Sequence, residues 1–117
     1  MNIDAATVFS ALANETRLRC LYLVLANKEV CVCEFVEALG IPQPAASKAL
    51  GALKSAGLLS DRKEANWNYF SLSKAMPLWM KTVVTATGKE QAKCAVHILD
   101  QRRFETLDLR AGGAGCG

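Results

Sequence analysis

The sequence predicts a mainly α-helical fold that contains one β-hairpin. Two observations support this prediction: apolar residues recur at helical spacing over most of the chain, and one central stretch alternates instead. The length of 117 residues, with 51% hydrophobic and 21% charged side chains, is typical of a single globular domain. We therefore expect one domain over residues 1–105 and a flexible, glycine-rich tail over residues 106–117.

The sequence gives no indication of a membrane or secreted protein. Its uncharged runs are much shorter than the roughly 20 apolar residues that a membrane span needs. Met1 to Asp4 lack the basic and apolar regions of a signal peptide. These features predict a cytoplasmic protein, and five cysteines in a reducing compartment argue against a disulfide framework.

The first two helices are predicted from capping residues and apolar spacing. Asn2 or Asp4 is a suitable N-cap for the first helix, and Asn14 for the second. The second helix is expected to end at Asn27 and Lys28. The apolar positions at helical spacing are Ala5, Val8, Phe9 and Leu12 in the first helix and Leu18, Leu21, Tyr22 and Leu25 in the second.

Two further helices are predicted on either side of a proline-containing turn. Residues 30–33 lead into a short helix over residues 34–39, and Gly40 is a typical C-terminal signal. Residues 41–44 form the turn into the next helix, since proline is tolerated in a first helical turn. In that helix the apolar stripe is Ala46, Ala49, Leu50 and Leu53, and the opposite face carries Ser47, Lys48, Gly51 and Ser55, flanked by Lys54.

The alternating stretch predicts a β-hairpin with strands at residues 58–63 and 68–73. Residues 64–67 form the turn, in which Asn66 is suited to a positive φ. Helical spacing then returns and extends to about Phe104, with Gly88 either interrupting the helix or tolerated in it. The apolar positions of this region are Met76, Trp79, Met80, Val83, Val84, Thr87, Ala92, Ala95, Ile98 and Leu99.

Positive charge is concentrated in the middle of the chain. The formal net charge is +3, and residues 43–74 carry five basic and two acidic side chains, whereas residues 1–42 carry three basic and five acidic ones. The middle third is therefore the expected docking region for a polyanion. Charge alone also fits an ordinary solvated face.

The order of elements is that of a winged helix-turn-helix. In such folds one helix enters the major groove of DNA and the preceding helix braces it against the backbone. A helical bundle with one exposed helix is the alternative that the spacing leaves open. The residues predicted to contact double-stranded operator DNA are Gln43, Ser47, Lys48, Lys54, Arg62 and Lys63.

Several stretches resemble the ArsR/SmtB metalloregulatory repressors. Residues 13–19 (ANETRLR) resemble the family phrase ALADETRLR, and residues 39–50 (LGIPQPAASKAL) resemble LGLSQPTVSRHL. Residues 53–59 and 61–72 resemble the end of the recognition helix and the wing. The resemblance spans residues 5 to about 85 and implies a homodimeric winged-helix repressor whose ligand releases it from DNA.

A shorter stretch resembles the arsenical and antimonial branch of that family. Residues 30–34 (VCVCE) are similar to its phrase ELCVCDLC, which implies that Cys31 and Cys33 bind trivalent arsenic or antimony as inducer. The chemistry fits, because soft thiolates prefer thiophilic ions and a helix N-terminus favours thiolate. The family's third cysteine falls on Val36, so a third sulfur would come from Cys94, Cys116 or Cys20. Two sulfurs alone suit an arsenical that keeps a hydroxyl or methyl group.

The sequence also predicts a dimer seam and leaves other functions open. The first and last helices are expected to form the dimer seam, and an enzyme is not expected from a chain with one histidine and no phosphate-binding loop. A thiol redox switch that uses Cys31 and Cys33, and an interaction module without a ligand, remain open. The residues predicted at the seam are Phe9, Leu12, Trp79, Met80 and Val83.

Overall fold

The computed structural model describes residues 3–108. Within these residues the chain forms six helices and one antiparallel sheet with strand order β1-β3-β2. The predicted mainly α-helical fold with a β-hairpin wing is thereby confirmed. The elements are α1 (Ala5–Leu12), α2 (Glu15–Asn27), β1 (Glu29–Cys31), α3 (Val32–Leu39), α4 (Gln43–Ser55), β2 (Leu59–Glu64), β3 (Trp67–Leu72), α5 (Leu78–Gln91) and α6 (Ala95–Glu105).

The first two helices begin at the predicted caps. Oδ1 of Asp4 accepts a hydrogen bond from the N–H of Thr7 at 2.9 Å, and hydrogen bonding by the side chain and the backbone of Thr7 lowers the pKa of the Asp4 carboxyl. Oδ1 of Asn14 accepts from the N–H of Arg17 at 3.0 Å. Each side chain thus satisfies a backbone donor that has no partner within its helix. The other candidate cap, Asn2, lies outside the described residues.

Helix α2 is the centre of the core, and its buried positions differ from the predicted apolar stripe. Leu21 is buried as expected, but Leu18, Tyr22 and Leu25 are only partly buried. The reason is that α4, α5, α6 and the sheet all pack against α2, so more than one side of it is covered. The buried residues of α2 are Cys20, Leu21, Leu23 and Val24.

A third strand, which the sequence analysis did not predict, precedes α3. Strand β1 pairs with β3 from Glu29 opposite Ser71 to Cys31 opposite Tyr69. Helix α3 therefore begins directly after Cys31, at Val32, rather than at Glu34 as expected. Three residues are too few to show an alternating pattern, so only the tertiary partner reveals this strand.

The helix-turn-helix is formed by α3 and α4 as predicted. Gly40 adopts a left-handed conformation with φ 65° at the end of α3. Helix α4 begins at Gln43, so the turn is shorter than predicted. The predicted apolar stripe is buried, and the opposite face is exposed at Ser47, Lys48, Gly51, Lys54 and Ser55.

The wing and the last helices differ from the sequence predictions in two details. The wing turn places the positive φ, 53°, on Ala65 instead of Asn66. The C-terminal helical region, predicted to extend to about Phe104, is broken after Gln91, whereas Gly88 is tolerated within α5, which is one of the two predicted alternatives. A Cβ atom on Gly88 would lie 2.8 Å from Cδ1 of Leu25, so this glycine allows a close approach of α5 to α2.

A buried ion network holds α6 against the helix-turn-helix. Asp100 is fully buried and accepts two hydrogen bonds from Arg19, both 2.8 Å, and one of 2.7 Å from Arg103. Arg19 also donates to the carbonyl oxygen of Leu39 at 2.8 Å, and Arg103 to that of Ala38 at 2.6 Å. The network thus joins α2 and α6 to the last carbonyl groups of α3, which have no partner within that helix.

Among the described residues, none of these helices combines the length and the apolar character that crossing a bilayer requires.

We expect Asp100→Asn to lower the free energy of unfolding by about 3 kcal/mol, because removing one partner of a buried ion pair leaves the other charge uncompensated. Urea unfolding at a fixed protein concentration measures the change. Arg102→Gln, on the same helix but exposed, is the matched control and should stay near wild type. A loss for Asp100→Asn below about 1 kcal/mol, the range of surface pairs, would contradict a central role for the network.

Candidate nucleic-acid interface and cysteine pair

The exposed face of α4 has the character of a recognition surface. Gln43 lies at its first position, and Ser47, Lys48 and Gly51 follow on the face away from the core. A Cβ atom on Gly51 would meet no atom within 4 Å, so this part of the face is open. Small side chains beside a cation and an amide allow a polyanion to come close to the helix backbone and still be bound.

Lys48 also borders a concavity that the sequence analysis did not identify. The concavity measures about 230 Å³ and joins Lys48 and Ala45 of α4 to Asn14, Thr16 and Arg17 at the start of α2. Two cations and a helix N-terminus together favour an anion. Arg17 is the residue from which this concavity could have been predicted in the sequence. A cation in the first turn of a helix is unfavourable, so its presence there suggests another role.

The cations predicted around the wing differ in their availability. Lys54 is paired with Asp61 at 2.8 Å, and this contact lowers the pKa of the Asp61 carboxyl. Arg62 donates two hydrogen bonds of 2.8 Å to Glu29, which raise its pKa above the ordinary value. Within residues 3–108, neither Lys48 nor Lys63 forms an ion pair.

The two cysteines of the C-x-C motif are brought together at the junction of β1 and α3. Cys31 is the N-cap of α3 and Cys33 lies in its first turn, and both are disulfide-bonded. The sequence did not predict disulfide bonding at these positions. Side chains two positions apart diverge on a regular helix, but Cys31 is extended with φ −86° and ψ 154°. The N–H of Cys31 donates to Oε1 of Glu34 at 2.8 Å, which stabilises the junction.

Aromatic residues of the wing surround the cysteine pair. Cys31 and Tyr69 are buried together, and Cys33 and Trp67 pack against them, partly buried. The rings of Trp67 and Tyr69 stack with centroids 6.2 Å apart and 19° between their planes. No role was predicted for these two residues from the sequence, although aromatic side chains at alternate positions of a strand indicate that they share one face of the sheet.

The other cysteines lie in different surroundings. Cys20 is buried, and burial raises the pKa of its thiol to about 12. Cys94 is exposed at the N-cap of α6, with Sγ 3.8 Å from the carbonyl oxygen of Glu90. Within residues 3–108, no three His, Cys, Asp or Glu side chains are grouped as a metal site would require. Cys116 lies outside the described residues.

The only histidine of the sequence is a packed core residue in the structure. His97 is buried, and its ring lies 5.3 Å from that of Tyr22, centroid to centroid. Burial lowers the pKa of His97, which favours the neutral ring.

The residues predicted at the dimer seam fall into two groups. Phe9 is 53% exposed and Trp79 is 38% exposed, so both contribute apolar area to the surface of the protomer. Leu12 and Met80 belong to the protomer core, and Val83 is partly buried against it. Phe9 and Trp79 are therefore the members of the predicted set that have most surface left for a partner.

The fold agrees with comparisons to known proteins. The family described as "Bacterial regulatory protein, arsR family" matches residues 14–61. The arsenic resistance transcriptional regulator ArsR2 of Pseudomonas putida is 39% identical over 85 residues, which cover 73% of this chain and 74% of that protein. The arsenical resistance operon repressor of Escherichia coli is 39% identical over 87 residues, 74% of each protein.

Solved structures show the same architecture. HlyU from Vibrio cholerae matches with a TM-score of 0.66 and 31% identity, covering 76% of this chain and 92% of that one. The homodimeric winged helix-turn-helix domain of Mb0332 from Mycobacterium bovis matches with a TM-score of 0.60 and 29% identity, covering 77% and 80%. Fold and relatives together define a DNA-binding transcriptional regulator of the winged helix-turn-helix class. More specifically, the chain belongs to the ArsR family, and the relatives named here are regulators rather than enzymes.

Proposed function

We propose that this protein is a homodimeric repressor that leaves its operator when trivalent arsenic or antimony binds Cys31 and Cys33. The observation that supports the proposal is the position of these two cysteines, which pack with Tyr69 and Trp67 of the wing of a DNA-binding fold. The names of the relatives from P. putida and E. coli, which refer to arsenic and arsenical resistance, support the choice of ligand. A cytoplasmic location follows from the proposal, because the repressor must reach operator DNA.

The chemistry of the cysteine pair suits a trivalent arsenical once the disulfide is reduced. Each thiol gives up its proton and replaces one hydroxyl group of As(OH)₃, so two As–S bonds form and two water molecules leave. The third coordination position of the arsenic keeps its hydroxyl group or takes a third sulfur, from Cys94 or Cys116. Antimony reacts in the same way, since it is also thiophilic.

The DNA surface that we propose is centred on α4. Gln43, Ser47 and Lys48 contact base edges or nearby phosphates, and Lys63 contacts the backbone from the wing. Lys54 and Arg62 contribute less, because a phosphate would have to compete with the carboxylates of Asp61 and Glu29 for them.

We expect Lys48→Ala and Lys63→Ala each to weaken operator binding and to reduce the slope of log K against log salt by about one unit, the effect of one lost phosphate contact. Fluorescence anisotropy with labelled operator DNA at several salt concentrations measures this slope. Lys93→Ala removes an exposed cation between α5 and α6 and is the control, with an unchanged slope. If both test variants keep the wild-type slope, the DNA surface lies elsewhere.

We expect Cys31→Ser and Cys33→Ser each to bind operator DNA but to stay bound when arsenite is added under excess phosphine reductant. Loss of either sulfur leaves a single thiolate at the junction of β1 and α3, so the ion can no longer bridge the two positions there. Cys20→Ala is the control and should respond normally, because its thiol is buried and stays protonated. Cys94→Ser and Cys116→Ser identify the third ligand: a weakened response in one of them assigns it, and normal responses in both indicate a two-sulfur site.

The same assay separates the proposal from its alternatives. Release of a Cys31→Ser/Cys33→Ser double variant by arsenite would contradict the proposed site. The disulfide favours a thiol redox switch as the second candidate function, and release of the wild type by peroxide but not by arsenite would support it. A wild-type protein that binds no DNA would instead be an interaction module.

The dimer that we propose uses α1 and α5. Phe9 and Trp79 expose apolar side chains on these helices, and the similar Mb0332 domain is homodimeric. A two-fold axis places two recognition helices in successive major grooves, roughly 34–36 Å apart.

We expect Trp79→Asp to produce monomers and to lose operator affinity at the same time, because a buried unpaired charge at the seam is costly and one protomer reads only a half-site. Sedimentation velocity and DNA binding on the same sample test this. Ala26→Asp adds the same charge at an exposed position of α2 and should remain dimeric. A monomeric Trp79→Asp protein with wild-type affinity would refute the link between dimer and operator binding.

A further inference from the structure

The wing is attached to β1 by side chains at both ends of that short strand. At one end, Glu29 accepts two hydrogen bonds of 2.8 Å from Arg62 of the wing. At the other end, Cys31 lies opposite Tyr69 and is buried against it. The strand that leads into the cysteine pair is thus joined to the wing by side chains as well as by backbone pairing.

Tyr69 lies between the cysteine pair and Arg62 of the wing. The sheet register places Cys31 opposite Tyr69 on one side, and Tyr69 opposite Arg62 on the other. The guanidinium carbon of Arg62 lies 4.5 Å from the centroid of the Tyr69 ring. The ring therefore contacts the sulfur site and supports the guanidinium of Arg62 within one row of residues across the sheet.

The opposite end of α3 is held more firmly. Its last carbonyl groups, at Ala38 and Leu39, accept hydrogen bonds from Arg103 and Arg19, and both arginines are bound to the buried Asp100. A change at the cysteines that travelled along α3 toward the turn would have to disturb this network. The wing offers less resistance, because Arg62 and Glu29 are partly exposed.

We propose that Tyr69 is a positioning residue that transmits the state of the Cys31–Cys33 pair to Arg62 and thereby to the wing. This inference rests on the proposed function above. Sulfurs joined to each other, sulfurs as free thiols and sulfurs sharing one ion lie at different separations. Because the interior around Cys31 is closely packed, the Tyr69 ring must move with the sulfur, and Arg62 moves with the ring. The wing then no longer presents its backbone-contacting residues as the operator requires.

The test compares Tyr69→Leu with Tyr69→Phe. Three quantities are measured under reducing conditions. The first is arsenite binding to the free protein, which is detected by the ultraviolet absorption of thiolate–arsenic bonds. The second and third are operator affinity without arsenite and operator affinity with saturating arsenite. For the wild type we expect operator affinity to fall by a factor within the 5–150-fold range typical of allosteric coupling. Tyr69→Leu should bind arsenite like the wild type but lose most of that factor. Tyr69→Phe should keep it, because the ring makes the contacts.

The outcomes distinguish this inference from the function on which it rests. If Tyr69→Leu binds arsenite and is released as fully as the wild type, the inference is overturned and the proposed function stands. If the wild type binds arsenite without release, or does not bind it, the proposed function fails and the inference fails with it.

A measurement on the wild type keeps the test decisive if Tyr69→Leu does not fold. Amide hydrogen exchange is recorded with and without arsenite over residues 59–72 of the wing and residues 38–42 at the helix turn. A change in the wing supports the inference. A change confined to residues 38–42 overturns it.

Discussion

The rest of the structure depends on the burial of one carboxylate. Asp100 is fully buried, and burying an unpaired carboxylate would cost several kcal/mol. Arg19 and Arg103 compensate that charge, and their remaining N–H groups satisfy the carbonyls of Leu39 and Ala38 at the end of α3. This one ion network thus fixes the relative positions of α2, α6 and the end of α3 that leads into the turn before α4. The start of α3, where the cysteines lie, is held instead by the sheet.

The ion pairs of the wing change where positive charge is available. The middle third of the sequence is the most basic, but two of its cations are neutralised within the protein: Lys54 by Asp61, and Arg62 by Glu29. Arg62 therefore acts first on the shape of the wing and only second on the potential around it. Lys48 of α4 and Arg17 at the start of α2 border one concavity, and neither forms an ion pair within residues 3–108. A polyanion is thus drawn to the recognition helix rather than to the base of the wing.

Features set by neighbouring residues were predicted well from the sequence, and features set by distant residues were not. The caps Asp4 and Asn14 act within one helical turn, and both are confirmed. The pairing of Arg62 with Glu29 joins positions 33 residues apart and leaves no periodic signal. Strand β1 and the packing of Tyr69 on Cys31 also depend on residues far apart in the sequence. The sequence therefore indicated the cysteine pair but not the aromatic residues beside it. Gly88 is a related case, because the sequence left open whether it interrupts the helix or is tolerated in it, and its close packing against Leu25 is seen only in the structure.

The junction of a strand and a helix gives the cysteine pair a chemistry that a regular helix would not allow. Cys31 is extended and Cys33 is helical, so the divergence that a regular helix imposes on side chains two positions apart does not apply to this pair. A disulfide and a shared arsenic ion both require that geometry, but they exclude each other, because an oxidised pair has no thiolate to offer. In a reducing compartment the dithiol is the prevailing form, so the pair would be available to an arsenical. Under oxidising conditions the same residues would be closed to it. If arsenic binding releases the repressor, oxidation would therefore make the cysteine pair unresponsive to arsenic until it is reduced again.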